Sequence, residues 1–150
     1  MDLTDLAYAA GLFDGEGYVG IGKHYTPNRP DRTPSYQIQC KVSMADIQAI
    51  EFLSVHWGGR TYYSKQRSPK HRPVCQWVLL DKESVVFLKD ILPYLKVKKE
   101  RASIALEFQE HKLATLPRGK FHRIPEPIRI IRESFWQRMR DLNYRGVKVQ

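Results

Sequence analysis

Cysteine is scarce in this chain of 150 residues: Cys40 and Cys75 are the two, far apart and in no Cys-x-x-Cys spacing. Neither a disulfide framework nor a thiolate zinc site is expected from such a pair. No basic segment followed by an apolar run opens the sequence, and no stretch approaches the roughly 18 apolar residues of a membrane span. No repeat of about 20–50 residues recurs, and no low-complexity tract is present. The expectation is a soluble, intracellular protein without a membrane partner, in the cytoplasm, the nucleoid or an organelle matrix. Acid is also in short supply, with 16 Asp and Glu against 25 Lys and Arg, a formal charge of +9. The pI of about 9.7 points to a polyanionic partner, although basic composition alone does not distinguish nucleic acid from other anionic surfaces. The length suits one domain with a real core.

Residues 9–17 read Ala-Ala-Gly-Leu-Phe-Asp-Gly-Glu-Gly, and the chain is organised around them. From Asp5 onward they continue a helix rich in small residues. Ala7, Ala10, Gly11 and Asp14 recur at spacings of three and four, which places them on one face. A face that small lets a second helix backbone come unusually close. Gly15 and Gly17 are expected to supply the left-handed conformations of a C-terminal cap. Asp14 and Glu16 then lie at the negative end of the helix dipole, where a carboxylate is disfavoured and a cation is welcome, so the arrangement invites a metal ion. Gly15, Gly17 and Gly20 also match G-x-G-x-x-G, but a dinucleotide site needs a strand before and a helix after. This order is reversed here, and the nucleotide reading is rejected.

A strand follows, with Val19 and Ile21 on one face and Tyr18, Gly20, Gly22 and His24 on the other. Residues 25–35 hold three prolines and form a loop that carries Arg29 and Arg32. The cleanest alternation is Tyr36-Gln-Ile-Gln-Cys-Lys-Val, in which Ile38, Cys40 and Val42 point inward and Gln37, Gln39 and Lys41 outward. Glutamine pairs with adenine and lysine with guanine in a major groove, while an ordinary solvated sheet face fits the same pattern. A helix is expected over residues 45–56, closed by Gly58 and Gly59, and a second pair of strands over 60–65 and 74–80. Between Arg60 and Arg72 lie five Lys or Arg, one His and no acid; a tip so charged repels itself unless an anion lies beneath it. Further helices are expected over 81–92, 99–114 and 125–143. The last carries an apolar stripe of Ile128, Ile131, Phe135, Trp136, Met139 and Leu142, opposite Arg129, Arg132, Arg138 and Arg140, which could touch phosphates. Residues 1–115 form the core domain, and 116–150 a helical extension packed on it.

The nine residues 9–17 resemble the signature of the LAGLIDADG homing endonucleases, with Asp14 and Glu16 at its two acidic positions. Ala9 stands where the motif has leucine and Glu16 where it has aspartate; glutamate is likewise a hard oxygen ligand. Pro93-Tyr-Leu-Lys-Val-Lys-Lys99 also resembles the family, where a lysine lies beside the cleavage centre. The similarity spans about residues 5–110 and implies an α+β fold of order α-β-β-α-β-β-α, a four-stranded antiparallel sheet seated over DNA, and extra C-terminal helices here. The family pairs two copies of its motif helix across a two-fold axis. This chain has one, so the resemblance implies a homodimer with Ala7, Ala10, Gly11 and Asp14 at the helix contact.

The activity so implied is site-specific double-strand cleavage leaving short 3′ overhangs, in a long, near-palindromic target, one half per subunit. Glu16 from each subunit, with the Gly15 carbonyl, is the implied ligand set for Mg2+, for which Mn2+ can substitute, and Lys98 the implied catalytic cation near the scissile phosphate. Asp14 would mainly tie the paired helices together. A third, polar active-site position falls at Met44, with Gln48 one turn on. The expected DNA contacts are Tyr18, His24, Arg29, Arg32, Gln37, Gln39, Lys41, Arg60, Tyr62, Ser64, Lys65, Arg67, Lys70, Arg72 and Gln76. Three other readings stay open: an intron maturase that binds RNA, a DNA-binding regulator that has lost its metals, and a basic structural protein of a ribonucleoprotein.

Overall fold

Asp2 and Asp5 start the first helix reciprocally: Asp5 N–H donates to Asp2 Oδ1 at 2.8 Å, and Asp2 N–H to Asp5 Oδ2 at 3.3 Å. This capping box satisfies two of the amides that a helix start leaves open. It begins α1, Leu3–Glu16, in a computed structural model that describes residues 1–29, 32–65, 68–117 and 123–144. Leu6, Ala9, Ala10 and Phe13 turn into the core. The expected left-handed cap does not form. Gly17 is extended, at φ −82° and ψ 158°, so the chain passes from helix straight into strand. Gly17 is there for space, because a Cβ would collide with the Phe13 ring and carbonyl.

Four strands follow the alternation of the sequence: β1 Gly17–His24, β2 Ser35–Met44, β3 Arg60–Tyr63 and β4 Cys75–Leu80. They form one antiparallel sheet in the order β1-β2-β4-β3. Val19 lies opposite Cys40, Ile21 opposite Ile38, and Val42 opposite Trp77, all buried under the helices. β3 stops at Tyr63, although Ser64 N–H still donates to Val74 O at 2.9 Å. Between the two hairpins runs α2, Ile47–Trp57, which begins later than its apolar pattern suggests because Asp46 is its cap, accepting from Gln48 N at 3.0 Å. Gly58 and Gly59 end it at φ 70° and 88°, a backbone that other residues enter at a cost.

α3, Asp81–Ile91, runs through a short 3-10 turn, Leu92–Tyr94, towards α4, Lys99–Ala114. Phe87 of α3 is where three other elements meet. Phe13, Trp57 and Trp77 approach its ring edge-on, with centroids at 5.1, 5.1 and 5.0 Å, each contact adding about 0.5–1.5 kcal/mol beyond the area it buries.

The last helix, α5 Glu126–Asn143, covers the outer edge of β1. Asn143 Nδ2 donates to Val19 O at 2.9 Å, closing part of an edge that would otherwise offer itself to another strand. Lys23 Nζ reaches Glu133 Oε2 at 2.8 Å, and the Tyr36 hydroxyl donates to the same carboxylate. Burial would raise the Glu133 pKa, but these two partners outweigh it and hold the carboxyl below its ordinary value. The expected faces of α5 need correction at two places. Ile131 is 43% exposed, whereas Arg132 is only 5% exposed. Phe135, Trp136, Met139 and Leu142 pack on the core, and Arg132 takes the place expected of Ile131, so that the half-buried Ile128, Arg132, Phe135, Met139 and Leu142 follow spacings of four and three. Arg132 is no phosphate contact, because its guanidinium donates to Thr115 O and Oγ1 at 3.3 and 3.2 Å. Burial lowers its pKa. No helix among the described residues is long and apolar enough to cross a membrane.

Candidate metal and nucleic-acid site

Asp14 closes the last turn of α1 onto the start of α4. Its Oδ2 accepts from Lys96 N at 2.7 Å and Val97 N at 3.2 Å, and its Oδ1 from Lys98 N at 2.9 Å. Burial alone would raise its pKa, yet three amides and the Lys98 charge outweigh it, and the carboxyl titrates below its ordinary value. Asp14 thus ties the end of α1 to the start of α4 within its own chain. The half-buried Lys98 sends its ammonium back to Asp14 O, which places a positive charge at the negative end of α1. Glu16, exposed, follows two residues later.

The fit of this helix end to a divalent cation can be judged from its donors. Among the described residues no three His, Cys, Asp or Glu side chains gather in one place, and Asp14 is occupied. The oxygen donors that remain are the Glu16 carboxylate and the Gly15 carbonyl, both hard and suited to Mg2+ or Mn2+. One chain thus offers two such donor groups at this helix end. Of the polar third position, Met44 packs against the core and Gln48 is exposed in the first turn of α2.

The outer side of α1 presents Leu3, Ala7, Gly11 and Gly15, each four residues from the next and each exposed. A Cβ built on Gly11 or Gly15 meets nothing within 4 Å. Ala10 is at 0% exposure, under this strip rather than on it, so its expected place in a helix-to-helix contact is corrected. Leu6 and Phe13, the bulky residues on its side of the helix, decide which way α1 is turned.

The face of the sheet away from the helices carries most of the expected nucleic-acid contacts in register. Ser43, Gln76 and Tyr62 form one cross-strand row; Tyr18, Lys41, Val78 and Arg60 the next; then Gly20, Gln39 and Leu80; then Gly22 and Gln37; and His24 beside Ser35 at the end. The glycines of β1 leave room for its large side chains. The Tyr18 ring lies over Gly20, and His24 Nε2 would stand 2.7 Å from a Cβ on Gly22. Burial raises the Tyr18 pKa, and a hydrogen bond with Gln39 offsets part of that. Polar and aromatic groups in rows suit the base edges of a groove.

Cations ring the face at the two hairpin tips. Arg29 and Arg32 are exposed on the β1–β2 loop, and Ser64, Lys65, Lys70 and Arg72 on the β3–β4 tip. Ser64, Lys65, His71, Arg72 and Val74 enclose a cleft of about 430 Å³. Arg67 lies outside the described residues.

Two residues of the face went unread in the sequence. Ser43 accepts from Gln76 Nε2 at 2.9 Å, and Asp81 from Gln37 Nε2 at 2.8 Å. Ser43 was legible in the β2 alternation, next outward after Lys41. Asp81 was not, because its position depends on where β4 ends.

Solved structures with this architecture are numerous. The archaeal intron-encoded homing endonuclease I-Vdi141I complexed with DNA matches at a TM-score of 0.73 and 14% identity, over 98% of this chain and 89% of that one. The homing endonuclease I-CvuI, in complex with the I-CreI target in 2 mM Mg, matches at 0.70 and 15%, over 99% and 89%. The LAGLIDADG homing endonuclease I-SmaMI bound to cleaved DNA matches at 0.69 and 10%, over 93% of this chain and 45% of that one. No protein-family sequence model matches the chain, and no curated protein matches it in sequence.

Proposed function

From the LAGLIDADG homing-endonuclease fold that this chain has, we propose that it is a divalent-cation-dependent endonuclease that cuts both strands of a near-palindromic duplex as a homodimer. The observation that carries the reading is the strip Leu3, Ala7, Gly11 and Gly15, which leads to an exposed Glu16. Glycine in a helix interior costs roughly 1 kcal/mol against alanine, and none of the described residues occupies the space that Gly11 and Gly15 leave open. A second α1 laid along the strip would use that space and bring two Glu16 carboxylates together.

Glu16 and the Gly15 carbonyl would hold a divalent cation there, and it would supply a water of lowered pKa and positive charge for the leaving 3′ oxygen. Lys98, fixed by Asp14 O, stabilises negative charge developing on the scissile phosphate. The outer sheet face enters the major groove, with Gln37, Gln39, Lys41 and Gln76 towards base edges and the hairpin-tip cations on phosphates.

The test is selection from a randomised double-stranded DNA library, run in parallel with magnesium and with calcium. Cut products with a palindromic consensus in magnesium alone support the enzyme and the dimer together. Duplex binding in both without cutting replaces the enzyme by a regulator. No duplex selection overturns the DNA reading and turns attention to intron RNA.

A further inference from the structure

Three glutamines stand on the outer sheet face, and one of them has a different kind of partner from the other two. Gln76 Nε2 donates to the Ser43 hydroxyl, and Gln39 shares a hydrogen bond with the Tyr18 hydroxyl. A hydroxyl both donates and accepts, so either amide can rotate by half a turn and stay satisfied. Gln37 differs. Its Nε2 donates at 2.8 Å to Asp81 Oδ2, and a carboxylate only accepts. Turning the Gln37 amide over would press its carbonyl oxygen against that carboxylate.

Asp81 is itself built into place. It is the first residue of α3, yet that helix start has no side-chain cap; its carboxylate goes elsewhere. Lys112 of α4 takes the other oxygen, Oδ1, at 3.2 Å. The Asp81 backbone is at φ 43°, a left-handed conformation that residues with a Cβ enter at a cost. β4 stops at Leu80, whose register partner is Gln39. Asp81 therefore follows at the end of the strand, on the Gln37 side of the face.

We propose that Asp81 is a positioning residue for base recognition: it fixes the Gln37 amide with its nitrogen towards the protein, so that Gln37 Oε1 faces the groove as an acceptor and selects an amino-bearing base. In the major groove adenine offers N6–H2 and cytosine N4–H2, while guanine and thymine offer acceptors at the corresponding positions. The inference rests on the sheet face reading DNA. Of the three glutamines it makes Gln37 the strictest, because its orientation alone is held by a group that cannot reverse its role.

Binding is measured on randomised duplexes in calcium, so that cutting plays no part. Gln37→Ala identifies the base position concerned, as the one whose preference disappears. In the unaltered protein that position should favour adenine or cytosine by about tenfold or more, the scale of one good base contact. Asp81→Asn should collapse the preference there to within about threefold, leaving other positions unchanged, since an amide partner accepts either orientation of Gln37. Lys112→Met, which breaks the ion pair and spares the Gln37 bond, should keep it. A preference for guanine or thymine, or one unmoved by Asp81→Asn, overturns the proposal. A readout without DNA separates the lock from the DNA reading. The Gln37 side-chain amide protons, assigned by their loss in Gln37→Ala, should shift in the NMR spectrum of Asp81→Asn. Unshifted protons overturn the lock whatever the duplex result. Shifted protons in a protein that binds no duplex support the lock and overturn the base selection together with the DNA reading.

Discussion

Asp14 and Lys98 hold each other twice: the Asp14 carboxylate accepts the Lys98 amide at 2.9 Å, and the Asp14 carbonyl receives the Lys98 ammonium. They are 84 positions apart in sequence. The end of α1 and the start of α4 are thereby one unit. Whatever fixes the end of α1 also fixes Lys98.

Removing the Asp14 carboxylate should loosen that unit. Asp14→Ala leaves three amides without their acceptor, and charge-assisted hydrogen bonds of this kind contribute about 1.5–3 kcal/mol each at most. A loss of roughly 3 kcal/mol in urea unfolding is expected. The pH dependence has a definite sign. The folded pKa lies below that of an ordinary aspartate, so the contribution is fully present above the unfolded value and is lost as pH falls through the lower folded pKa. The unaltered protein should therefore lose stability in that acid window more steeply than Asp14→Ala. Parallel slopes would show that Asp14 does not carry the effect.

Glu16→Gln separates metal binding from DNA binding. The amide keeps the shape of the side chain and gives up the charge that holds a hard cation. Cleavage in magnesium should fall by at least about a thousandfold, on the scale of a lost charge-stabilising group, while duplex affinity in calcium changes little. Cutting that survives would move the metal ligand elsewhere.

On the proposed reading Lys98 acts on the phosphate rather than on the bases. Lys98→Met keeps the length of the side chain, and should slow single-turnover cleavage by about a hundredfold or more. It should weaken binding by less than about tenfold, as one phosphate contact among many. Equal losses in both would demote Lys98 to an ordinary backbone contact.

The hairpin-tip cations make a prediction in salt. If Lys70 and Arg72 rest on phosphates, each alanine substitution should lower the slope of log affinity against log salt by about one, equally for all sequences. A slope that stays the same would leave those side chains in solvent.

The period-two patterns of β1, β2 and β4 were legible because each strand buries one face, and a one-residue slip would turn Ile38, Cys40 and Val42 to water. The motif helix was legible as a helix, but its rotation was misread. Ala7, Ala10 and Gly11 are alike in size, and the bulk of Leu6 and Phe13, which pulls Ala10 inward, was the clue. Arg132 shows a second limit. Residue type argued for Ile131 in the stripe, whereas the four-and-three spacing of 128, 132, 135, 139 and 142 argued for Arg132, and spacing prevailed. Contacts such as Asp14 with 96–98 and Gln37 with Asp81 span 82–84 and 44 residues. They follow from where helices and strands end, which local pattern leaves undetermined.

Gly11 offers the sharpest test of the dimer, because the two expectations for it have opposite signs. Considered within one chain, Gly11→Ala places a methyl in open space and removes a helix-interior glycine. That should raise stability by about 1 kcal/mol. With a second α1 against the strip, the same methyl enters the closest approach of two backbones, and Gly11→Leu enters it further. Dilution in the ultracentrifuge should then show the dimer of the unaltered protein weakened in Gly11→Ala and monomeric in Gly11→Leu, with cleavage lost in step and the helical circular dichroism retained. A monomeric unaltered protein, or a Gly11→Leu variant that stays dimeric and active, would take the contact off this face of α1.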